Sequence, residues 1–323
     1  MHTYRLTILA ALLLGPVWGC GPGVPPAASG KLLVGVTIPP HAWLVRQIGG
    51  DRVQVVTTVR PGDSAELYQP TDAQISRLAD ARVYFRTGMP LESSRGFRSG
   101  LSRDTLRVVD LREGVSLHDM AQHAGHAHEA PHEGAASADA HEAATPTGTS
   151  DPYGGKDPHI WLSPRLLKVQ AQTVANTLAE IDPSSKPYYL RNLASVHSQL
   201  DELDRSLRTT LAPLRGRAFL VFHPAWAYFA EEYGLREIAI ESEGKEPSDR
   251  ELTELLRLAR REGIRVIFVQ QTATRAARAM ALAIGARTEI LDDLAEDVPA
   301  ALERTARLLV ESCGEEKGEE KGP

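Results

Sequence analysis

The sequence predicts an α/β protein of two lobes, each built on a parallel sheet, which one long rigid helix joins. Short apolar runs alternate with amphipathic segments in both halves of the chain, a pattern typical of a parallel sheet with helices on both faces. Between the halves, residues 182–214 carry apolar residues at helical spacing. Such a helix extends on the order of 40 Å at about 1.5 Å per residue, which suits a rod between two domains.

Length, charge and cysteine content narrow the class of protein. The 323 residues suffice for two domains of ordinary size, and the formal net charge of −6 argues against nucleic acid as a partner. The two cysteines, Cys20 and Cys313, are too few and too far apart to form a disulfide framework. They also exclude a cysteine-rich zinc site, so any metal ion must be held by histidine and carboxylate side chains.

Residues 1–20 resemble the export signal of a bacterial lipoprotein. An apolar run over residues 6–14, shorter than the ~20 residues that span a bilayer, leads to Gly19 directly before Cys20. We expect Cys20 to be lipidated and to anchor the mature chain to the bacterial cell membrane, facing the periplasm or the cell exterior. The alternative is an ordinary cleaved signal with a chance cysteine. Residues 21–30, rich in Gly, Pro and Ala, are interpreted as a flexible tether.

Residues 31–181 are expected to form the N-terminal lobe. Its strands are predicted at residues 32–38, 53–59, 83–85 and 106–109. One helix is predicted at residues 43–48, a second begins at the capping box of Thr71, and a third begins at Ser163 before a proline. Residues 118–150 contain almost no large apolar side chain and are interpreted as a disordered insertion.

The linking helix, residues 182–214, leads into the C-terminal lobe, residues 215–312. The apolar stripe of that helix comprises Leu190, Leu193, Val196, Leu200, Leu203 and Leu207. Strands of the lobe are predicted at residues 218–222, 237–240, 264–269 and 288–291, and helices at residues 224–233, 273–284 and 298–310. A further helix opens at the capping box of Ser248. Residues 313–323 are interpreted as a disordered tail.

The insertion concentrates histidine. Six of the eleven histidines lie in it, interleaved with Asp and Glu: His118, His123, His126, His128, His132 and His141. Imidazole with carboxylate suits Zn²⁺, Cu²⁺ or Ni²⁺, so we expect this tract to bind metal as an auxiliary site. The alternative is a solvated spacer whose histidine content is incidental.

Three further candidates stand at the ends of predicted elements. His159 precedes a helix start, His223 follows a strand, and Asp292 lies just beyond another strand. Ligands of parallel α/β domains bind outside the carboxyl ends of strands. Because these residues come from both halves of the chain, they predict a metal site between the lobes.

Four segments resemble the zinc/manganese solute-binding proteins of ABC importers, the TroA-like (cluster A-I) family. They are DPHIWLSP at residues 157–164, FHPAWAYF at 222–229, IESEGKEPS at 240–248 and IGGDRV at 48–53. The resemblance implies two α/β lobes joined by a rigid helix, with a metal ion at the interlobe cleft. It also implies His159, His223 and Asp292 as ligands, with a one-residue ambiguity toward Asp293.

One position departs from that family. Where its first ligand is a histidine, in P-G-x-x-P-H-x-Y-E-P, this chain has Glu66 within PGDSAELYQP at residues 61–70. Either Glu66 ligates the metal, or His41, in the predicted loop after the first strand, reaches the site instead. With His41 the ligands are three imidazoles and a carboxylate, which suits Zn²⁺. With Glu66 they shift toward Mn²⁺ or Fe²⁺.

The resemblance and the histidine-rich insertion together predict a monomeric extracytoplasmic protein that captures Zn²⁺ and delivers it to the permease of an ABC importer. A Mn²⁺- or Fe²⁺-specific member of the same family is the alternative. A zinc hydrolase is less favoured, because four protein ligands leave no position for water and no His-Glu-x-x-His run is present. We therefore expect no enzymatic activity. Since imidazole binds metal only when neutral, affinity should fall below roughly pH 6.

Overall fold

Both halves of the chain form α/β lobes in the computed structural model, as predicted. The structure describes residues 30–120, 155–241, 247–271 and 275–314. Within these ranges the strands are β1 (Leu32–Val36), β2 (Val53–Thr57), β3 (Val83–Arg86), β4 (Arg107–Asp110), β5 (Ala218–Val221), β6 (Arg236–Ala239), β7 (Val266–Val269) and β8 (Arg287–Ile290). The helices are α1 (Pro39–Gly49), α2 (Asp72–Ala79), α3 (Pro90–Ser93), α4 (Arg95–Gly100), α5 (Pro164–Ile181), α6 (Lys186–Leu211), α7 (Ala227–Tyr233), α8 (Asp249–Arg261), α9 (Arg275–Ile284) and α10 (Val298–Gly314).

Each lobe is built on a four-stranded parallel sheet with the same strand order. The N-terminal sheet has the order β2-β1-β3-β4, and the C-terminal sheet has the order β6-β5-β7-β8. In both sheets the second strand lies on one side of the first strand, and the third and fourth strands lie on the other side. Open parallel sheets bind ligands at this switch in strand order. The carboxyl ends of β1 and β5 are therefore the places to look for a site.

Local sequence explains where several elements begin. The predicted capping boxes at Thr71 and Ser248 are both present, and in each the hydroxyl accepts a hydrogen bond from the third helical N–H. Ser163 caps α5 in the same way, accepting from the backbone N–H of Leu166 at 3.2 Å. The strand runs are apolar because helices cover both faces of the sheets, and all four residues of β5 and of β7 are buried.

The linking helix α6 packs against α1, α5 and α10, and so contacts both lobes. Its buried stripe comprises Tyr189, Leu193, Val196, Leu200, Leu203, Leu207 and Leu211. Leu190, predicted on this stripe, is instead 40% exposed, because Tyr189 occupies the buried side of that turn. Near its start, α6 meets Gly50, which has a φ of 49° and whose Cβ, if present, would lie 2.1 Å from the Tyr188 hydroxyl. Glycine is required at this contact.

Direct hydrogen bonds also join the lobes around the cleft. The indole Nε1 of Trp161 donates to the backbone oxygen of Asp293 at 2.6 Å. The Tyr228 hydroxyl donates to the backbone oxygen of Asp157 at 2.9 Å. Both Trp161 and Tyr228 are buried, so these bonds hold the two lobes together within the interior.

Two element predictions were wrong in ways that concern candidate ligands. His41 was expected in a loop, but α1 begins at Pro39 and places His41 in its first turn; proline at the first helical position is the local cause. The helix predicted from Pro224 begins only at Ala227, so a short loop separates His223 from α7. At the C-terminus, α10 extends to Gly314, past the predicted start of the tail at residue 313.

The histidine-rich insertion has an ordered start, contrary to the prediction of disorder from residue 118. The backbone oxygen of His118 accepts a hydrogen bond from the backbone N–H of Asp157 at 2.9 Å, and Asp119 forms an isolated antiparallel bridge with Lys156. The His118 ring stacks on Tyr228 with centroids 4.3 Å apart. These contacts join His118 and Asp119 to residues 156 and 157, two positions before His159.

Among the residues that the structure describes, no helix combines the length and the apolar character needed to cross a bilayer. The predicted signal, Cys20 and the tether up to residue 29 lie outside the described residues. So do His123, His126, His128, His132 and His141.

Candidate metal site

Three predicted candidates converge in the cleft between the lobes. Glu66, His159 and His223 each offer a ligand atom, and these atoms lie within 4.8 Å of one another. Glu66 Oε1 is 3.2 Å from His223 Nε2 and 3.7 Å from His159 Nε2, and the two Nε2 atoms are 3.4 Å apart. Glu66 follows β2 and His159 precedes α5, whereas His223 comes from the C-terminal lobe. The cluster is therefore assembled by both lobes.

The Asp157-Pro158-His159 turn fixes the ring of His159. Asp157 Oδ1 accepts hydrogen bonds from the backbone N–H of His159 at 2.9 Å and from its Nδ1 at 2.7 Å. With Nδ1 occupied in this way, Nε2 is directed into the cleft. Burial alone would lower the pKa of His159, but the charges of Asp157 and Glu66 outweigh it and raise the pKa to about 9.

His223 is arranged in the same manner from the other lobe. It follows β5, and its Nδ1 hydrogen-bonds the carboxylate of Glu241, which follows the neighbouring strand β6. The ring is 8% exposed, and burial opposes its charged form. The hydrogen bonds to Glu241 and Glu66 nevertheless raise the pKa of His223 well above its usual value.

Glu66 presents one free carboxylate oxygen to the two rings. Ser64 Oγ donates to Oε2 at 2.8 Å, whereas the buried Oε1 faces only the two rings, 3.2 Å from His223 Nε2 and 3.7 Å from His159 Nε2. Burial would raise the pKa of Glu66, but His159 and His223 hold it well below its usual range. A buried, ionised oxygen is costly unless positive charge lies beside it, which either the protonated rings or a metal ion can supply.

The cluster has the chemistry of a divalent metal site. Each imidazole is backed by a carboxylate on Nδ1, the arrangement that orients histidine for metal binding. Ligand atoms about 2.0–2.1 Å from a tetrahedral zinc ion are about 3.3 Å apart, close to the separations between these three atoms. The donors therefore fit a metal ion of that size.

The two neighbouring aspartates after β8 have different surroundings. Asp292 is partly exposed, and its carboxylate accepts hydrogen bonds from the Gln271 side chain at 2.8 Å and from Leu294 N–H at 3.2 Å. Asp293 is 3% exposed, and its carboxylate accepts from Gln270 Nε2 at 3.1 Å. Burial and then the negative charge of Glu66 raise the pKa of Asp293, so its carboxylate is electrostatically coupled to the cluster. The sequence identified Asp292 but left this one-residue ambiguity open.

His41 does not join the cluster. Its ring lies against the edge of Trp161, with centroids 5.8 Å apart, and Trp161 in turn contacts His159 at 5.1 Å. Its Nε2 bonds to Gln170 Oε1 at 2.8 Å. Burial lowers the pKa of His41 to about 4. The structure thus places Glu66, and not His41, beside the two cleft histidines.

Asp157 and Glu241 are further functional candidates, because their carboxylates hold Nδ1 of the two cleft histidines. Asp157 lies two residues before His159, a spacing at which Asp commonly accepts from the backbone N–H. That local signal was available. The pairing of Glu241 with His223 depends instead on the parallel register of β5 and β6, which no local pattern specifies.

Comparison with known proteins gives consistent matches over most of the chain. The model of the family described as zinc-uptake complex component A, periplasmic (ZnuA), matches residues 34–306. The high-affinity zinc uptake system protein ZnuA of Bacillus subtilis (strain 168) is 28% identical over 274 residues, which are 82% of this chain and 79% of that protein.

Solved structures agree with this match. A crystal structure of ZnuA has a TM-score of 0.74 and 32% identity, covering 88% of this chain and 99% of the other. A deletion mutant of ZnuA solved with zinc bound has a TM-score of 0.73 and 32% identity, covering 88% and 98% of the two chains.

Proposed function

The chain belongs to the family of the periplasmic component A of zinc-uptake complexes, and from that premise we propose that it captures Zn²⁺ outside the cytoplasm and delivers it to the permease of an ABC importer. The observation that carries this proposal is the convergence of Glu66, His159 and His223 from two lobes on one point.

We assign four ligands: Glu66, His159, His223 and Asp293. Asp293 takes the place that the sequence gave to Asp292, because its carboxylate is buried and interacts with the charges of the other three. The set has two imidazole nitrogens and two carboxylate oxygens. It leaves no open position for a reactive water, so binding and release, and not hydrolysis, are its expected chemistry.

Metal capture is coupled to proton release. In the metal-free protein the pKa of His159, raised to about 9, and the raised pKa of His223 favour the protonated rings, whose positive charge lies beside Glu66. An arriving Zn²⁺ replaces those protons and takes over the neutralisation of the carboxylates. The Nδ1 partners Asp157 and Glu241 stay in place and keep both Nε2 atoms directed at the ion.

The parts outside the described residues complete the proposal. A lipid on Cys20 would hold the protein at the membrane beside its permease. The histidines between residues 121 and 154 would bind further ions near the cleft, since the flanking residues Asp119 and Lys156 pair close to His159. Both assignments rest on the sequence.

Calorimetric titration of the purified chain with Zn²⁺ tests the proposal. We expect one tight site that Glu66→Ala weakens by more than about 100-fold, because the variant removes a direct ligand and not merely an outer partner worth 10- to 100-fold. Asp63→Ala, in the same loop, is the matched control and should leave the affinity unchanged. A wild-type chain without a tight zinc site would contradict the proposal.

The carboxylate at position 66 favours one alternative cargo. A set of two oxygen and two nitrogen ligands is harder, in the sense of less polarisable, than a set of three imidazoles and one carboxylate. It therefore moves the metal preference toward Mn²⁺ or Fe²⁺. Competition between Zn²⁺ and Mn²⁺ on the same protein decides between them. Displacement of bound Zn²⁺ by equimolar Mn²⁺ would make manganese the cargo; retention of Zn²⁺ supports the zinc assignment.

A further inference from the structure

His41 is a fully buried histidine with a specific polar partner. It lies in the first turn of α1 at 0% exposure, and its Nε2 is 2.8 Å from Oε1 of Gln170, which is also fully buried. The amide Nε2 of Gln170 donates in turn to the backbone oxygen of Ile160 at 3.2 Å. A continuous hydrogen-bonded relay therefore runs from α1 through α5 to the residue after His159.

The direction of the relay follows from the donors and acceptors. Because Gln170 uses its amide N–H₂ on Ile160, its Oε1 is the acceptor end, and His41 donates through Nε2–H. Nδ1 of His41 then carries a lone pair, and it has no hydrogen-bond partner in the described part of the chain. Burial keeps the ring neutral by lowering its pKa to about 4. An apolar side chain would avoid this cost, so packing alone does not explain a histidine here.

The position of the Ile160 backbone affects the residues on both of its sides, which belong to or support the metal site. Ile160 joins His159, a proposed ligand, to Trp161, whose Nε1 holds the backbone of Asp293 at 2.6 Å. Asp157 fixes the ring of His159 through Nδ1. The relay holds the backbone oxygen of the following residue, and so it bears on proposed ligands from both lobes.

We propose that His41 is a positioning residue, which holds Gln170 so that the Ile160 peptide keeps His159 and Trp161 in place for metal capture. This assignment rests on the proposed function. It gives His41 a role in zinc affinity without contact to the ion. It also explains why a polar residue occupies a buried helical turn one layer behind the cleft.

Two substitutions at position 41 separate positioning from packing. His41→Leu removes the donor and leaves Gln170 Oε1 unsatisfied, whereas His41→Gln keeps an N–H donor of similar reach. We expect His41→Leu to weaken zinc binding about tenfold, the lower end of the range for partners of ligands, and His41→Gln to restore most of it. Ile48→Ala, also fully buried and two turns further along α1, should lower the thermal unfolding temperature without changing zinc affinity.

A double substitution tests whether the two side chains act as one unit. Gln170→Leu should also cost about tenfold, and His41→Leu with Gln170→Leu should bind zinc no more weakly than Gln170→Leu alone. Each variant is titrated with Zn²⁺ by calorimetry, and thermal unfolding of the metal-free form confirms that it folds.

Three results would overturn the assignment. Unchanged zinc affinity in a folded His41→Leu variant would make His41 a packing residue. Equal loss of the tight site in His41→Leu and His41→Gln would make His41 a ligand. Losses of zinc affinity that add up in the double variant would show that His41 and Gln170 act independently. The proposed function fails separately, and only if the wild-type chain itself binds no zinc.

Discussion

The cleft and the first turn of α1 both bury histidine, but they treat the ring in opposite ways. In the cleft, His159 and His223 each have a carboxylate on Nδ1 and present Nε2 to Glu66, and their pKa values are raised. In α1, His41 faces a neutral amide and its pKa is lowered to about 4. Burial is similar at all three positions, so burial does not decide which histidine binds metal.

The difference lies in the charge of the surroundings. Carboxylates around His159 and His223 stabilise any positive charge at that point, whether a proton or a metal ion. The amide of Gln170 provides a dipole but no net charge, and burial of His41 outweighs both this hydrogen bond and the charge of Asp110. A buried histidine with carboxylate partners is thus a candidate ligand, and one with an amide partner is a structural element.

The pH dependence of zinc affinity is the largest effect that this comparison predicts. Zinc must displace the protons held by His159 and His223, so affinity should rise by about tenfold per pH unit for each proton displaced. The rise should continue to about pH 9, the raised pKa of His159, and not end near pH 6 as the sequence suggested. Calorimetry in buffers of different ionisation enthalpy counts the protons released. A constant zinc affinity between pH 6 and pH 9 would contradict the raised pKa values of His159 and His223.

The same shift has a consequence for the metal-free protein. Because the folded-state pKa of His159 is raised from 6.5 to about 9, its proton stabilises the fold fully below about pH 6.5, and this contribution is lost as the pH rises through about 9. The free energy of unfolding should therefore decline over that interval. His159→Gln should flatten the decline, as measured by denaturant unfolding of the two proteins at several pH values.

Removal of one cleft histidine is the next largest effect. His223→Ala takes away a direct ligand and should weaken zinc binding by more than about 100-fold, beyond the range for outer partners. The matched control is His197→Ala on α6, whose ring bonds to the Lys168 backbone oxygen at 3.2 Å, away from the cluster. Equal zinc affinities of the His223→Ala and His197→Ala variants would contradict the assignment of His223 as a ligand.

The two adjacent aspartates give the smallest and sharpest contrast. Asp293→Asn should reduce zinc affinity at least about tenfold, because it removes a buried negative charge that interacts with the cluster. Asp292→Asn changes the neighbouring side chain in the same way and should leave the affinity unchanged, since that carboxylate bonds to Gln271 and Leu294. A larger loss in Asp292→Asn would reverse the assignment of the fourth ligand.

Local signals were sufficient for much of the fold and for two of the four proposed ligands. Alternating apolar runs predicted both sheets, and the capping boxes at Thr71 and Ser248 predicted helix starts to the residue. His159 and His223 follow from their positions at the ends of elements. These features depend on neighbours in sequence, which is why a single sequence reveals them.

The remaining features depend on contacts across the fold. The choice between Glu66 and His41 required knowing which side chain lies beside His159 in the fold, and the two lie 25 positions apart in sequence on different elements. The choice between Asp292 and Asp293 turns on which carboxylate is buried after β8. The proline pair before His41 did signal a helix start, so its placement in α1 was predictable.

The position of the bound ion shows directly whether Glu66, His159 and His223 bind zinc in the cleft. A crystal of the zinc-loaded protein, measured on both sides of the zinc absorption edge, should show one strong anomalous peak in the cleft. We expect this peak about 2.0–2.1 Å from Nε2 of His159, Nε2 of His223 and a carboxylate oxygen of Glu66. A peak bonded to His41, or a cleft without any peak while zinc is bound elsewhere, would contradict it.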